Sequence, residues 1–308
     1  MDIRQMQYIL ALAEHRSFTR AAKALYISQP SLSAFVGKVE AELGVALFDR
    51  STTPLTLTYA GEIYVEGARE ILASCAHLQK RIGDISSQKT GRLRLCVPHE
   101  RAAYMLPLLL PEYKKMHPNV AVQVLTHNST YTLDLLRTNQ VDMAIMPYNN
   151  LGQDFVCSEI YAEELFLVGN QDTIGPQHMI AGMNSAVDIS KLKDIPLITL
   201  RAPHGIRVFL ESLFEKQGVE PNIVMETTSN QTAYRLATGG LGAAIVPRMT
   251  IELTRKAAHT PVYSLSACGT HWQIVAVQRK DSYVSQMEKD FISIARRVFN
   301  TMEQTKLN

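Results

Sequence analysis

A chain of 308 residues, of which 46% are hydrophobic and 19% are charged, is long enough for two or three folding units with sizeable cores. Its formal net charge of +2 is too small to indicate nucleic-acid binding by itself, and no stretch reaches the roughly 18 consecutive apolar residues that a membrane span needs. The chain starts with an amphipathic helix pattern instead of a signal peptide, so we expect a cytoplasmic protein with no membrane partner.

Three helices are predicted at the start of the chain. Residues 3–15 indicate a scaffold helix, residues 17–25 a short helix that begins at a serine, and residues 28–43 an amphipathic helix after a turn. The third helix has one apolar face, formed by Leu32, Phe35, Val36, Val39 and Leu43. Its opposite face carries groups that suit base edges and phosphates, namely Gln29, Ser31, Ser33 and Lys38. An ordinary amphipathic surface helix would show the same pattern.

The residues after this helix make the prediction more specific. The helix ends at Gly44, and Pro54 leads into a short β-like wing at residues 55–58. The segments SFTRAAKALYISQPSLS, VEAELGVALFDR and LTLTYAG resemble the winged helix-turn-helix of the LysR-type transcriptional regulators, and the resemblance extends over nearly the whole chain. Ala34, Phe35 and Gly37 stand where many members carry basic or long polar residues, so the base preference cannot be copied from a relative. The predicted DNA-binding residues are Arg20, Ser28, Gln29, Ser31, Ser33, Lys38 and Arg50.

A long helix is predicted from about residue 60 to residue 86. Its apolar positions alternate at offsets of four and three, as in a coiled coil: Tyr64, Ala68, Ile71, Cys75, Leu78, Ile82 and Ile85. Because this seam stands outside a compact domain, an identical second chain is its simplest partner, although the helix could instead pack on its own domain. We therefore predict a homodimer and leave a tetramer open.

Strands and helices alternate from residue 92 onward, which predicts an α/β region with mainly parallel sheets. The segments VDMAIMPY and GGLGAAIVP resemble the LysR-type effector domain, which has the two-lobed fold of periplasmic solute-binding proteins. The resemblance implies three regions: a winged helix-turn-helix at 1–58, a dimerising linker helix and hinge at 59–90, and an effector-binding domain at 91–308. It places lobe 1 at about 91–162 and 269–308, and lobe 2 at about 163–268.

The effector site is predicted at the carboxyl ends of the strands. Backbone N–H groups and helix N-termini meet there and favour anions, and the resemblance places the inducer among the same turns. Arg101 and Arg201, expected at the mouths of the cleft, favour a carboxylate or another small anion, although an ion pair with Glu100 would explain them nearly as well. The serines of these turns fit helix capping as well as ligand contact. The predicted effector-binding residues are Pro98, Glu100, Arg101, Asn128, Ser129, Thr199, Arg201, Ser229 and Asn230.

Motifs of catalysis are missing from the sequence. It has no GxxxxGK[ST], HExxH or GxSxG motif, and its four cysteines show no CxxC spacing, so we predict neither an enzyme nor a metal or other cofactor. The cysteines are predicted to be structural, although Cys96 ends a strand that should open on the cleft, where a thiol could be reached. A solute-binding transport component and a catalytic α/β protein are the alternatives. The missing signal peptide and the missing catalytic constellation favour a DNA-binding regulator that responds to a small molecule.

Overall fold

The computed structural model describes residues 2–85, 91–127, 129–148, 151–170, 172–183, 185–254, 261–265 and 270–303. The chain divides into two compact units. One contains Met1–Gln88 with Arg137–Gln140, and the other contains Lys89–Leu136 and Val141–Asn308. No helix in the described ranges is both long enough and apolar enough to cross a membrane.

The N-terminal unit is a helix-turn-helix with a small wing and a long helix. Its elements are α1 (Ile3–His15), α2 (Phe18–Ala24), α3 (Gln29–Leu43), β1 (Phe48–Asp49), β2 (Thr56–Leu57) and α4 (Tyr59–Ile85). The side chains of Asp2, Ser17 and Ser28 cap the first three helices by accepting backbone N–H groups. Apolar side chains from α1, α2, α3, the wing and α4 share one core, which includes Ile9, Leu12, Ala22, Leu32, Val36, Val39, Phe48 and Val65.

The apolar side chains of α4 that form the predicted seam are wholly or partly buried near the start of the helix and exposed further along it. Tyr64 packs against the helix-turn-helix core, and Ala68 is buried within the single chain, so these two positions of the predicted seam are already covered. Ile71, Leu78 and Ile82 are 43%, 59% and 57% exposed. The apolar face that lacks a cover within the described chain is therefore shorter than the predicted seam. The side chain of Ile85 lies outside the described residues.

The C-terminal unit is built on strands in the order β4-β3-β5-β11-β6-β9-β7-β8. The strands are β3 (Gly91–Cys96), β4 (Val120–Leu125), β5 (Met143–Pro147), β6 (Phe155–Gly169), β7 (Leu197–Leu200), β8 (Ile223–Thr227), β9 (Ala243–Pro247), β10 (Val262–Ser264) and β11 (His271–Arg279). The helices are α5 (His99–Met116), α6 (Ser129–Arg137), α7 (Gly205–Lys216), α8 (Asn230–Thr238), α9 (Arg248–Thr254) and α10 (Gln286–Glu303). Short 3₁₀ turns occur at Pro176–His178 and Ile189–Asp194.

The strands form two lobes that share one long strand. In lobe 1, β3 pairs in parallel with β4 and β5, and in lobe 2, β7 pairs in parallel with β8 and β9. Strand β6 pairs antiparallel with β11 from Phe155 to Glu164, and with β9 from Leu165 to Gly169. The chain therefore passes from lobe 1 to lobe 2 within β6.

Two predictions about this unit need correction. The sheets are not mainly parallel at their centre, because β6 and β11 run antiparallel to their neighbours. Strand β6 is 15 residues long and begins well before residues 164–168, the part that the apolar pattern of the sequence indicates as a strand. Glu159 and Glu163 interrupt the apolar pattern before that part, so the beginning of β6 could not be predicted from it. Helix α9 and strand β10 were not predicted.

Candidate DNA-binding helix and effector cleft

Helix α3 is fixed at both ends by its own sequence. The Ser28 hydroxyl accepts the N–H of Ser31 at 3.3 Å and lies 2.6 Å from the Ser31 hydroxyl, and Gly44 ends the helix in the left-handed conformation at φ +71°. Leu32, Val36 and Val39 bury the inner face. The helix is thus held rigidly while its other face stays free of the core.

The predicted base-reading groups lie on that outer face. Gln29, Ser31 and Lys38 are exposed, and Ser33 is half-buried. The hydroxyls of Ser28 and Ser31 are paired with each other, so Ser28 serves as the helix cap. Gln29 and Ser33 are the short polar side chains that remain most available to a base edge.

The basic side chains predicted to contact DNA differ in their exposure and in whether they are already paired with a carboxylate. Arg20 is exposed, and Lys38, whose side chain is 74% exposed, approaches Glu42 only to 4.0 Å. Arg50 donates to the Glu40 carboxylate at 2.8 Å and lies over the Phe18 ring at 5.4 Å. The other oxygen of Glu40 accepts the N–H groups of Leu47, just before the wing, and of Phe48, its first residue. Arg50 is therefore tied to the wing, which the sequence did not indicate.

One exposed aromatic residue was missed by the sequence analysis. Tyr26 lies in the turn between α2 and α3, is 96% exposed and has φ +57°. The sequence indicated only that a turn occurs here. A fully exposed tyrosine beside α3 offers a hydroxyl donor for a phosphate.

In the C-terminal unit, the ends of β7 and β8 lie side by side. The N–H of Arg201, just after β7, donates to the carbonyl oxygen of Thr227, the last residue of β8, at 2.8 Å. Ser229 then caps α8, because its hydroxyl accepts the N–H of Thr232 at 3.3 Å. Arg201 has an exposed side chain, and Asn230 is only 2% exposed.

A carboxylate from lobe 1 reaches this turn of lobe 2. Glu100, in the first turn of α5, accepts the Ser229 hydroxyl at 2.6 Å, the Asn230 side-chain amide at 2.8 Å and the Gln231 N–H at 3.4 Å. Glu100, Ser229 and Asn230, three of the predicted effector residues, are thus in direct contact. The Ser229 hydroxyl acts both as a helix cap and as a carboxylate contact, so the two predicted roles do not exclude each other.

Arg101 is not at the mouth of the cleft, which corrects the predicted placement. Its side chain is 1% exposed and donates to Glu163 and to the Tyr161 hydroxyl, each at 2.7 Å, with its guanidinium 5.4 Å from the centre of the Trp272 ring. Burial by itself lowers the pKa of Arg101, but Glu163 and Tyr161 outweigh burial and raise that pKa. The charge of Arg101 is therefore already neutralised by Glu163, and the ion pair ties α5 to β6.

The other predicted effector residues are dispersed. Pro98 precedes α5 and makes no side-chain hydrogen bond as its N-cap. Thr199 is 9% exposed and lines a cavity of about 410 Å³ that α7 forms with β7 and β8. Asn128 and the side chain of Ser129 lie outside the described residues. The candidate effector site on lobe 2 therefore consists of Arg201, Ser229 and Asn230 with Glu100 facing them.

His204 is a further residue near this site that the sequence analysis did not select. Its Nδ1 accepts the N–H of Ile206 at 3.4 Å and caps α7. Burial lowers the pKa of His204, the negative charge of Glu100 partly opposes this, and Arg101 lowers the pKa further. Burial of His204 thus favours its neutral form, and the influence of Glu100 on its pKa places the two groups near each other.

A second cavity, of about 330 Å³, lies beside the buried ion pair. Residues from α5, β6, α9, β11 and α10 line it, including Tyr104, Glu163, Arg248, His271 and Phe299. The Tyr104 hydroxyl donates to Glu252 at 2.7 Å. No local motif could predict this cavity, because its residues come from five separate elements.

Cys96 is not accessible, contrary to the expectation that its thiol opens on the cleft. The side chain is fully buried and lies 3.3 Å from the Thr132 hydroxyl, and burial raises the pKa of the thiol. Within the described residues, no group of three or more histidine, cysteine, aspartate and glutamate side chains is arranged to hold a metal ion.

Comparison with known proteins agrees with this architecture. A family model described as the LysR substrate binding domain matches residues 86–300, and one described as the bacterial regulatory helix-turn-helix protein of the lysR family matches residues 3–62. The uncharacterized HTH-type transcriptional regulator YcgK of Bacillus subtilis is 28% identical over 308 residues, which cover 96% of this chain and 94% of that protein.

Two solved structures show the same fold over the full length. Full-length OxyR from Pseudomonas aeruginosa, a variant in which one cysteine is replaced by aspartate, aligns with a TM-score of 0.75 at 23% identity, covering 97% of this chain and 95% of that chain. Full-length CbnR complexed with its target DNA aligns with a TM-score of 0.66 at 23% identity, covering 97% of this chain and all of that one. With the family models matching both the helix-turn-helix and the two-lobed unit, this chain belongs to the LysR family of transcriptional regulators.

Proposed function

We propose that the protein binds operator DNA through α3 as a homo-oligomer in the cytoplasm, and that a small anion held between the two lobes modulates this binding. The observation that carries the effector proposal is Arg201. This exposed cation stands at the end of β7, next to the strand end that leads into the capped N-terminus of α8. A guanidinium beside backbone N–H groups of a helix start favours a carboxylate or a similar anion.

The DNA-binding surface divides into base contacts and phosphate contacts. Gln29, Ser31 and Ser33 are proposed to meet base edges, because they are short, polar and on the outer face of α3. The proposed phosphate contacts are Arg20, Lys38, Arg50 and Tyr26. Ser28 supports the helix start beside them.

A second copy of the chain is proposed to cover the exposed face of α4. Ile71, Leu78 and Ile82 recur at offsets of seven and four along a helix and are all exposed in the single chain. We assign residues 1–58 to DNA binding, 59–90 to the linker and 91–308 to effector binding. The curated relatives are named as transcriptional regulators, which supports regulation rather than catalysis.

A gel shift with the DNA just upstream of the coding region tests the DNA part. Replacing Gln29 or Ser33 by alanine should weaken specific binding by about 1–3 kcal/mol per lost base contact without changing the fold. Replacing Lys38 should weaken binding to all sequences and flatten the salt dependence. If both alanine variants kept their affinity and selectivity, α3 would not read the operator.

The effector part is tested on the full-length chain by a thermal-shift screen against small carboxylic acids. An acid that stabilises the wild type should bind Arg201→Ala about ten- to a hundredfold less tightly, which is the effect of losing one charge-assisted hydrogen bond of about 1.5–3 kcal/mol. Operator binding by Arg201→Ala should persist. Lys193, an exposed cation elsewhere on lobe 2, provides the control variant Lys193→Ala. Equal affinity of the acid for both variants would rule out Arg201 as an effector contact.

A further inference from the structure

The N-terminus of α8 is occupied by a side chain of the protein itself. Three donors converge on the Glu100 carboxylate: a hydroxyl from Ser229, an amide from Asn230 and a backbone N–H from Gln231. All three belong to lobe 2, and Glu100 belongs to the first turn of α5 in lobe 1. The carboxylate thus bridges the lobes through the same kind of contacts that a bound carboxylic acid would make.

The local charge favours a carboxylate at this position. Helix α8 is nine residues long, and its start carries free N–H groups and the positive end of the helix dipole. Arg201 lies at the adjacent strand end and adds a positive charge to this region. In the described part of the chain, Glu100 is the acidic side chain that accepts from this turn.

The fit of Glu100 to this position is incomplete. Asn230 is 2% exposed, and while its amide nitrogen donates to Glu100, its Oδ1 is buried with no hydrogen-bond partner within the described residues. A buried acceptor without a partner carries a free-energy penalty. A ligand that brings a carboxylate to this turn and also a hydrogen-bond donor within reach of Asn230 Oδ1 would remove that penalty.

We propose that Glu100 is an internal competitor of the effector. In the unliganded protein its carboxylate fills the anion position at the start of α8 and holds the two lobes together through hydrogen bonds. An effector carboxylate replaces the Glu100 carboxylate at this position. This inference rests on the proposed anionic effector and makes it more specific. The effector must carry a carboxylate small enough to reach the α8 turn, and its binding releases the contact between Glu100 and lobe 2.

Chemical complementation of the full-length Glu100→Ala variant tests the proposal. Removing the carboxylate leaves the three donors without their anion, so acetate should bind in its place. We expect sodium acetate to raise the melting temperature of Glu100→Ala saturably, by roughly 2–4 °C, relative to sodium chloride at the same ionic strength. The wild type should show no such difference, because its own carboxylate fills the position.

Two further variants control this experiment. Glu112→Ala removes an exposed glutamate from the same helix, away from α8, and should respond to acetate as the wild type does. Glu100→Ala combined with Ser229→Ala should lose the acetate response, because a donor is gone. A response of Glu100→Ala no larger than that of the wild type would overturn the proposal.

A second measurement covers the case in which Glu100→Ala does not fold. Glu100→Gln keeps the size of the side chain but weakens its charge-assisted bonds, so acetate should stabilise this variant although it does not stabilise the wild type. A Glu100→Gln protein as insensitive to acetate as the wild type would again overturn the proposal. Neither result depends on DNA, so a failure of operator binding in the wild type would count against the proposed function alone.

Discussion

Arg101 does not have the role that its position in the sequence suggests, because it forms a buried ion pair with Glu163. Arg101 stands at a helix start that the sequence places beside a strand end, which is where an anion site is expected. The side chain instead turns inward and pairs with Glu163 beneath Trp272. Only the presence of a glutamate in β6 permits this burial, and no local pattern links two residues that are 62 positions apart.

Breaking this buried pair should be costly. Glu163→Ala would leave Arg101 buried without its counter-charge and remove the acceptor of the Met249 N–H, so we expect a loss of about 3–5 kcal/mol in the free energy of unfolding. Urea unfolding followed by Trp272 fluorescence would measure it, since Trp272 is the single tryptophan. Glu211→Ala, which breaks a surface ion pair with Arg207, should cost less than about 1 kcal/mol. Similar losses in the two variants would contradict a strong buried pair.

His204 should make the stability fall in mild acid. Its folded-state pKa is below the ordinary value of 6.5, because burial disfavours the charged ring more than Glu100 favours it, and Arg101 adds repulsion. The unfolded chain therefore binds a proton that the folded chain resists. The contribution of His204 to the free energy of unfolding is fully present above pH 6.5, the ordinary pKa of histidine. It is lost as the pH falls through the lower pKa that His204 has in the folded protein.

The variant His204→Asn isolates this effect. Asparagine is a good N-cap residue and does not titrate, so it should keep the start of α7 while flattening the dependence of stability on pH. Urea unfolding at pH 7.5 and pH 5.5 gives the comparison. A wild-type loss between these two pH values that matched the loss of His204→Asn would show that His204 has no depressed pKa.

At the scale of elements, α4 depends on one glycine at its start. A Cβ built on Gly61 would lie 2.0 Å from the carbonyl oxygen of Leu47, whereas a Cβ on Gly67, further along the helix, would meet nothing within 4 Å. Helix α4 therefore packs against the residue before the wing only because position 61 lacks a side chain.

The two glycines give a matched pair of variants. Gly67→Ala should stabilise the protein by up to about 1 kcal/mol through helix propensity. Gly61→Ala gains the same helix propensity, but its methyl group forces α4 away from the backbone of Leu47. We therefore expect the free energy of unfolding to fall by roughly 1–3 kcal/mol, as in overpacked cores. Thermal melts of both variants would decide. If Gly61→Ala raised the melting temperature instead, the start of α4 would be able to move away from Leu47 at little cost.

Local pattern predicted the elements whose residues repeat regularly and missed those that do not. The strands at 120–125 and 197–200 coincide with short, mostly apolar segments that only Gln123 and Thr199 interrupt, and α3 was recognised from its apolar face and from Gly44. The part of β6 before residue 164 was missed because the buried Glu163 resembles a loop residue until Arg101 is known to pair with it. The contact of Glu100 with Ser229 spans 129 positions and could not be read from sequence spacing.

At the scale of the whole molecule, the proposed interface on the exposed face of α4 can be tested by a single charge. Leu78→Asp would place a carboxylate in the apolar interface that we propose between two chains, at a cost on the order of several kcal/mol. Light scattering should then show dissociation, and the variant should lose joint binding to two half-sites. Gln79→Asp adds the same charge at the next, exposed position and should leave assembly intact. A Leu78→Asp protein that remained associated through this region would contradict the proposed interface.

Strand β6 has a mechanical consequence for the regulator. It belongs to the sheets of both lobes without a break, so a rotation of one lobe must twist a hydrogen-bonded strand instead of turning about a loose loop. The twist is shared among several peptide units around Glu164 and Leu165, and the restoring force grows with the angle. We therefore expect the two lobes to resist rotation elastically, and an effector that binds between them, as we propose, would have to overcome this resistance.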